Sequence, residues 1–262
     1  MSPALQDALL GWYAREHRDL PWRRTTDPYA ILVSEVMLQQ TQVARVVPRY
    51  EAWLERWPGE NALAAAPRAE VLGAWVGLGY NTRAVRLQAA CAVVAREGWP
   101  RTAAGLQALP GVGPYTAAAV ASFAFGERVA AVDTNVRRVA ARLGRAAPDE
   151  LLARDAAAWN QAMMELGATV CRAREAACAT CAVADWCASA GHVDIPAREP
   201  PGARERFEDS NRWVRGRIVA ALAAGGGLPD AIGPDRLQPA LDGLVREGLV
   251  VVDDAGARIS PR

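Results

Sequence analysis

The 262-residue sequence has no lysine: all 30 of its basic residues are arginine. Any mechanism built on a lysine Schiff base is therefore excluded, and the N-terminal amine is the one primary amine left. An excess of one charge is missing too. Thirty basic and 29 acidic residues leave a formal net charge of +1, so no global field marks a polyanionic partner, although a local patch can still attract one. No apolar run approaches the roughly 18 residues that a membrane span needs. The first twenty residues lack a basic start followed by an apolar core, which predicts no signal peptide and a soluble, intracellular protein. In a reducing compartment the five cysteines are not expected to form structural disulfides. The composition of disorder is absent as well. With 51% hydrophobic and 23% charged residues, the chain can bury a sizeable core in one large or two moderate domains.

What is present is helix. Apolar spacing predicts helices over 5–15, 29–42, 44–57, 68–75, 83–96 and 103–108, separated by Pro58, Pro67, Gly98-Trp99-Pro100 and Pro110-Gly111. Asp27-Pro28 reads as an N-cap followed by proline at the first helical position. Strands are hard to find before residue 245, so the first 195 residues read as all-α. Ile195 to Gly202 is proline-rich and reads as a linker. Beyond it come helices over 212–224 and 235–247, then a hairpin over 249–259, the order of a winged helix. Ten basic and ten acidic residues cancel between 198 and 262. That segment therefore reads equally as a small packing or partner-binding unit.

Three features carry chemistry. Leu109-Pro110-Gly111-Val112-Gly113-Pro114-Tyr115-Thr116 precedes a strongly helical run, and glycines before a helix N-terminus expose amides that suit an anion. A plain link between two helices is the alternative. Downstream, Asp133 is placed to cap a helix, and four arginines without an acid (137, 138, 142 and 145) follow it, a local positive face suited to a nucleic-acid backbone. Glu35 falls in an apolar helix, where burial raises a carboxyl toward the range of a general acid; pairing with an arginine is the alternative. Cys171, Cys178, Cys181 and Cys187, spaced by six, two and five residues, imply a metal centre. Zinc is the generic occupant of such thiolates, although only Cys178 and Cys181 form a C-x-x-C pair. Cys91 reads as a buried apolar residue.

The run Leu109–Ala117 with Val132-Asp133-Thr134-Asn135 resembles the helix-hairpin-helix signature of the endonuclease III superfamily of DNA glycosylases. Within it, Leu20-Pro21-Trp22-Arg23, Asp27-Pro28-Tyr29 and the run from Val33-Ser34-Glu35 to Gln42-Val43 resemble the adenine DNA glycosylases of the MutY type. Trp75-Val76-Gly77-Leu78-Gly79-Tyr80 and Asn160 to Ala168 extend the likeness over residues 5 to 195. The resemblance implies an all-α, two-lobed glycosylase fold over 1–197: a six-helix lobe near 26–132 and a second lobe from 1–25 with 133–197. A small winged-helix-like α+β domain, 198–262, replaces the large C-terminal domain that reads 8-oxoguanine in such enzymes.

The resemblance also implies roles. Glu35 protonates an extruded adenine, Asp133 stabilises or traps the sugar cation, and Asn135 orients water or Asp133, two carboxyls acting as in glycoside hydrolases. Tyr115 stands where bifunctional relatives carry a Schiff-base lysine, which implies base removal without strand cleavage. Arg18, Trp22, Leu38 and Glu165 line the adenine pocket. Gln40 and Tyr80 act as wedges in the duplex, Thr41 and Leu78 lie near the opposing base, and Gln39, Gly79, Leu109, Gly111, Gly113 and Arg137 also meet DNA. The cysteines hold a [4Fe–4S] cluster that positions Arg172 and Arg174 for phosphate contact. The implied protein is a cytoplasmic, nucleoid-associated bacterial enzyme, a monomer acting on double-stranded DNA with adenine opposite 8-oxoguanine or guanine. Two alternatives stand beside it: a same-fold enzyme removing uracil, thymine or a damaged base opposite guanine, and a non-catalytic Fe–S protein that binds DNA.

Overall fold

Side-chain caps start several of the helices, where the sequence places Asp, Ser or Thr before an apolar run. A computed structural model describes residues 3–145, 152–153, 155–195 and 205–261. From residue 196 on, the predicted linker lies outside them. The described part of the chain groups into two units, Met1–Glu35 with Trp99–Glu199 and Val36–Gly98 with Pro200–Arg262.

The first unit holds α1 (Pro3–Glu16), the start of α2 (Pro28–Leu38), α7 (Ala103–Leu106), α8 (Pro114–Phe125), α9 (Thr134–Arg142) and α10 (Ala156–Thr169). Asp27 starts α2: its carboxylate accepts from the Tyr29 and Ala30 amides at 3.2 Å each, with Pro28 at the first position. Asp133 and Asp155 cap α9 and α10 in the same way, at 2.7 and 3.0 Å. The core joins Leu5, Leu9 and Trp12 of α1 to Val136 and Val139 of α9 and to Trp159, Met163 and Leu166 of α10. Helices α2 and α8 carry almost no polar stripe, and residues 29–37 and 116–122 are buried, as expected of helices enclosed on all sides. Gly111, at φ 76°, turns the chain between α7 and α8, a conformation that suits glycine.

The second unit holds the end of α2, α3 (Val43–Arg56), α4 (Glu60–Ala65), α5 (Arg68–Trp75), α6 (Thr82–Glu97), α11 (Asn211–Ala223), α12 (Pro234–Arg246) and the strands β1 (Val250–Asp253) and β2 (Gly256–Ile259). Trp53 meets Trp57 and Trp75 edge-on at 4.6 and 5.4 Å, geometry that favours the ring quadrupoles. Gln88, buried on α6, donates to the Leu63 and Ala66 carbonyls at the end of α4. The hairpin is antiparallel, with Val250 opposite Ile259 and Asp253 opposite Gly256. Helix, helix and hairpin follow in the predicted order, and α11 packs on α5.

Two expectations need correction. The helix predicted over 29–42 ends at Leu38, because the Arg83 side chain takes the Val36 and Gln39 carbonyls and Gln40 turns left-handed. α4, six residues without a side-chain cap, lies in a stretch where apolar spacing predicts no helix.

Candidate active site

Three elements of the first unit bring Glu35, Tyr115 and Asp133 together. Glu35 lies mid-way along α2, Tyr115 is the second residue of α8, and Asp133 is the N-cap of α9. Glu35 is 6% exposed. Burial drives its pKa from 4.5 to about 7; a hydrogen bond from Tyr115 pulls it down, and the negative charge of Asp133 pushes it up. This is the response of a carboxyl stripped of water with a like charge beside it. The Tyr115 hydroxyl is held far above its ordinary pKa of 10, first by burial and then by the charges of Glu35 and Asp133. It stays a donor, facing Glu35 and, at 3.8 Å, the Met164 thioether. No arginine is among the causes of the Glu35 shift, so the arginine-paired alternative finds no support.

Asp133 is both cap and acceptor. Its Oδ1 takes the Val136 amide at 2.7 Å and its Oδ2 takes Asn135 Nδ2 at 2.8 Å. Asn135 Oδ1 in turn accepts from Arg138 at 2.9 Å. Two residues whose roles sequence patterning does not reveal hold this corner. Asn160, fully buried, donates to Ser122 and the Val129 carbonyl and accepts the Ala131 amide, each at 2.9 Å. It thereby fixes the segment that leads into Asp133. Gly167 lets α9 lie against α10: a Cβ there would stand 2.6 Å from Asn135 Cβ.

Glu165 is also buried, at 0% side-chain exposure, but it is clamped. Arg18 donates to it from its backbone amide at 3.0 Å and from Nε and Nη2 at 2.8 Å each, and Arg23 adds a bond at 2.7 Å. Burial raises its pKa, yet the bonds from Arg18 and Arg23 outweigh that and hold it at about 2. Trp22, buried at 9% exposure, lies in the turn Pro21–Arg23, and Leu38 is half-buried at the end of α2.

The predicted positive face after Asp133 is only partly available. Arg138 donates to the Cys171 and Gly167 carbonyls at 2.9 and 2.6 Å, and Arg142 to the Arg172 carbonyl at 2.8 Å and the Cys171 sulfur at 3.3 Å. These two arginines serve the fold, while Arg137 and Arg145 are exposed. In the hairpin, Gly111 and Gly113 are exposed and Leu109 is buried.

The four clustered cysteines line one recess with Val170, Ala177 and Arg142. Among the described residues no group of three or more His, Cys, Asp or Glu is arranged to hold a single metal ion. The soft thiol donors, the apolar lining and the arginine N–H directed at Cys171 fit a thiolate-bound cluster. Arg172 is paired with Glu175 at 2.5 Å, and Arg174 is exposed. Cys91 is fully buried, its thiol pushed up to about 12 by burial.

The second unit presents its own feature. Among the described residues, Gln40 (φ 56°) and Tyr80 (φ 49°) are the non-glycine residues with positive φ. Such strain persists where the surroundings over-determine it. Arg83 does so here. Its guanidinium donates to the carbonyls of Val36 (2.6 Å), Gln39 (2.8 Å), Leu78 (2.9 Å) and Gly79 (3.0 Å), and lies 3.5 Å from Thr41 Oγ1. One side chain thus ties the 36–41 and 78–80 turns together. Leu78 is buried, Gly79 has φ 73°, and Tyr80 is 46% exposed. The sequence showed the motif residues but not that Arg83 organises them.

Residues 33–161 match the HhH-GPD superfamily of base excision DNA repair proteins. An adenine DNA glycosylase of Mycobacterium tuberculosis (strain CDC 1551 / Oshkosh) is 47% identical, over 82% of this chain and 77% of the relative. Among solved structures, a thermostable thymine-DNA glycosylase superposes with a TM-score of 0.67 at 27% identity, over 72% of this chain and 98% of that one. A trapped endonuclease III–DNA covalent intermediate superposes with a TM-score of 0.61 at 25% identity, over 73% and 98%.

Proposed function

The chain belongs to the HhH-GPD superfamily of base excision DNA repair proteins, within it to the adenine DNA glycosylases, and on that premise we propose how its own residues remove adenine from DNA. It is an adenine-specific DNA N-glycosylase. Glu35 is the proton donor. With a pKa of about 7, it holds a proton near neutral pH and can release it to a ring nitrogen of the extruded adenine. The bond between C1′ and the base breaks with its electron pair leaving on the base, and the proton from Glu35 neutralises that pair. Asp133 presents its carboxylate to the positive sugar, with Asn135 fixing Oδ2. Water then adds to C1′ and returns a proton to Glu35. Tyr115 keeps Glu35 oriented and supplies no amine, so the reaction stops at base removal. The observation that carries the reading is the buried, half-protonated Glu35 coupled to Asp133.

Arg18, Trp22, Leu38 and Glu165 are assigned to the adenine pocket, the Arg18–Glu165 clamp fixing the orientation of both partners. Gln40 and Tyr80 are the wedges. Their strained backbones, braced by Arg83, support that role, since an inserted side chain must hold open a gap whose formation costs a few kcal/mol. Thr41, Leu78, Gln39 and Gly79 accompany them, and the Leu109–Gly113 hairpin with Arg137 meets the backbone phosphates. Cys171, Cys178, Cys181 and Cys187 hold a [4Fe–4S] cluster, which ties residues 171–187 to α9 and takes no part in bond cleavage. Absorption near 400 nm and about four irons per chain test that assignment; stoichiometric zinc contradicts it.

The mispair is adenine opposite 8-oxoguanine or guanine. Labelled duplexes with A:8-oxoguanine, A:G, T:G and U:G pairs test it. Base release from the first two is expected, and release from T:G or U:G alone overturns it.

A further inference from the structure

Next to Tyr80, the C-terminal segment exposes arginines that no ion pair neutralises among the described residues. Arg212, at the start of α11, lies over the Tyr80 ring at 5.6 Å and over the Phe207 ring at 5.7 Å, and its Nη1 stands 3.3 Å from the Tyr80 hydroxyl. Trp213 is flanked by Arg217 at 6.0 Å and Arg236 at 5.7 Å. Phe207 is 56% exposed. Among the described residues, the ion pairs of this segment use Arg206, Arg215 and Arg258, and none includes Arg212, Arg217 or Arg236. Among the described residues the acids of the adjoining turn, Glu208 and Asp209, make no ion pair with these three, and Arg236 Nη2 donates to the Glu208 backbone carbonyl at 2.5 Å, which fixes that side chain beside Trp213.

A guanidinium laid on an aromatic face keeps its in-plane N–H edge for a phosphate. Arginines interleaved with exposed rings form the kind of surface that tracks a nucleic-acid backbone. The segment's balanced net charge hides this: Glu208, Asp209 and Asp235 lie nearby, yet among the described residues none of them pairs with these arginines. We propose that Phe207, Arg212, Arg217 and Arg236 form a second DNA-contacting surface, continuous with the Tyr80 wedge, that grips the backbone of the duplex Tyr80 enters. Charge complementarity and direct continuity with Tyr80 favour DNA over a protein partner. The inference rests on the reading of this chain as a DNA glycosylase with Tyr80 in the duplex.

The test uses the full chain and a fluorescein-labelled, fully paired duplex, with anisotropy read at several salt concentrations. Removing one phosphate-neutralising charge lowers the slope of log K against log salt by about 0.9. The triple variant Arg212→Gln/Arg217→Gln/Arg236→Gln is expected to bind at least tenfold more weakly in low salt, with a slope lower by two to three. Arg217→Gln alone, a change on an exposed helix surface, is expected to lower the slope by about one and guards against misfolding of the triple variant. Arg258→Gln removes the same charge from the hairpin and should leave the slope unchanged. A parent slope in the triple variant and in Arg217→Gln, or an equal decrease in Arg258→Gln, overturns the proposal. A parent chain that releases no adenine overturns the reading beneath it instead.

Discussion

Glu35 and Glu165 are both buried in the same unit, yet one sits at about 7 and the other at about 2. Burial pushes both upward. Glu165 receives Arg18 and Arg23, and their hydrogen bonds reverse the sign; Glu35 receives one phenol and the repulsion of Asp133. Burial alone therefore does not assign a function. The partners decide whether a carboxyl becomes a proton donor or a structural anchor.

The comparison can be broken most forcefully by removing each acid. Glu35→Gln deletes the proton donor, and single-turnover adenine release should fall by about 100-fold or more. Asp133→Asn keeps an N-cap, since asparagine caps about as well, so a comparable rate loss with a native melting profile is expected there. Glu165→Gln leaves two guanidinium groups short of their anion, one of them 41% exposed. Chemical denaturation should show a loss of about 2 kcal/mol, below the cost of breaking a fully buried pair.

The pH dependence of stability sharpens the contrast. The folded pKa of Glu35 lies above its unfolded value, so its contribution is complete below pH 4.5 and is lost as pH rises through 7. A rise from 4.5 to about 7 corresponds to about 3 kcal/mol at 1.36 kcal/mol per pKa unit. Glu35→Gln should therefore gain on the parent as pH climbs from 4.5 to 8 in urea titrations. Glu165 behaves in the opposite sense: its contribution is present above pH 4.5 and disappears as pH falls through about 2. Glu165→Gln should lose least against the parent in strong acid. The smallest effect belongs to Tyr115→Phe, which deletes the one bond that lowers Glu35. The alkaline limb of the rate profile should move to higher pH by less than about one unit.

Much of this was legible because it is local. Asp27-Pro28, Gly113-Pro114 and Asp133-Thr134 announce helix starts through cap chemistry, and the structure has α2, α8 and α9 starting there. The apolar surroundings of Glu35 announced its burial. The end of α2 was not legible: Gln39, Gln40 and Thr41 raise no local barrier to helix, and a residue more than 40 positions away takes the carbonyls. Arg138 and Arg142 read as part of a phosphate-facing row because nothing nearby in sequence competes for them. Their acceptors are carbonyls and a sulfur some 30 positions on. The Glu165 clamp spans 147 positions. Resemblance could place these residues at a site, but only three-dimensional contact shows which are free to act and which are already engaged.

The most direct measurement is the pH profile of single-turnover adenine release from an A:8-oxoguanine duplex, for the parent and for Glu35→Gln. The account predicts a parent rate that declines as pH rises through about 7 and a variant whose residual rate lacks that decline. A variant that keeps the parental rate and the parental profile contradicts it.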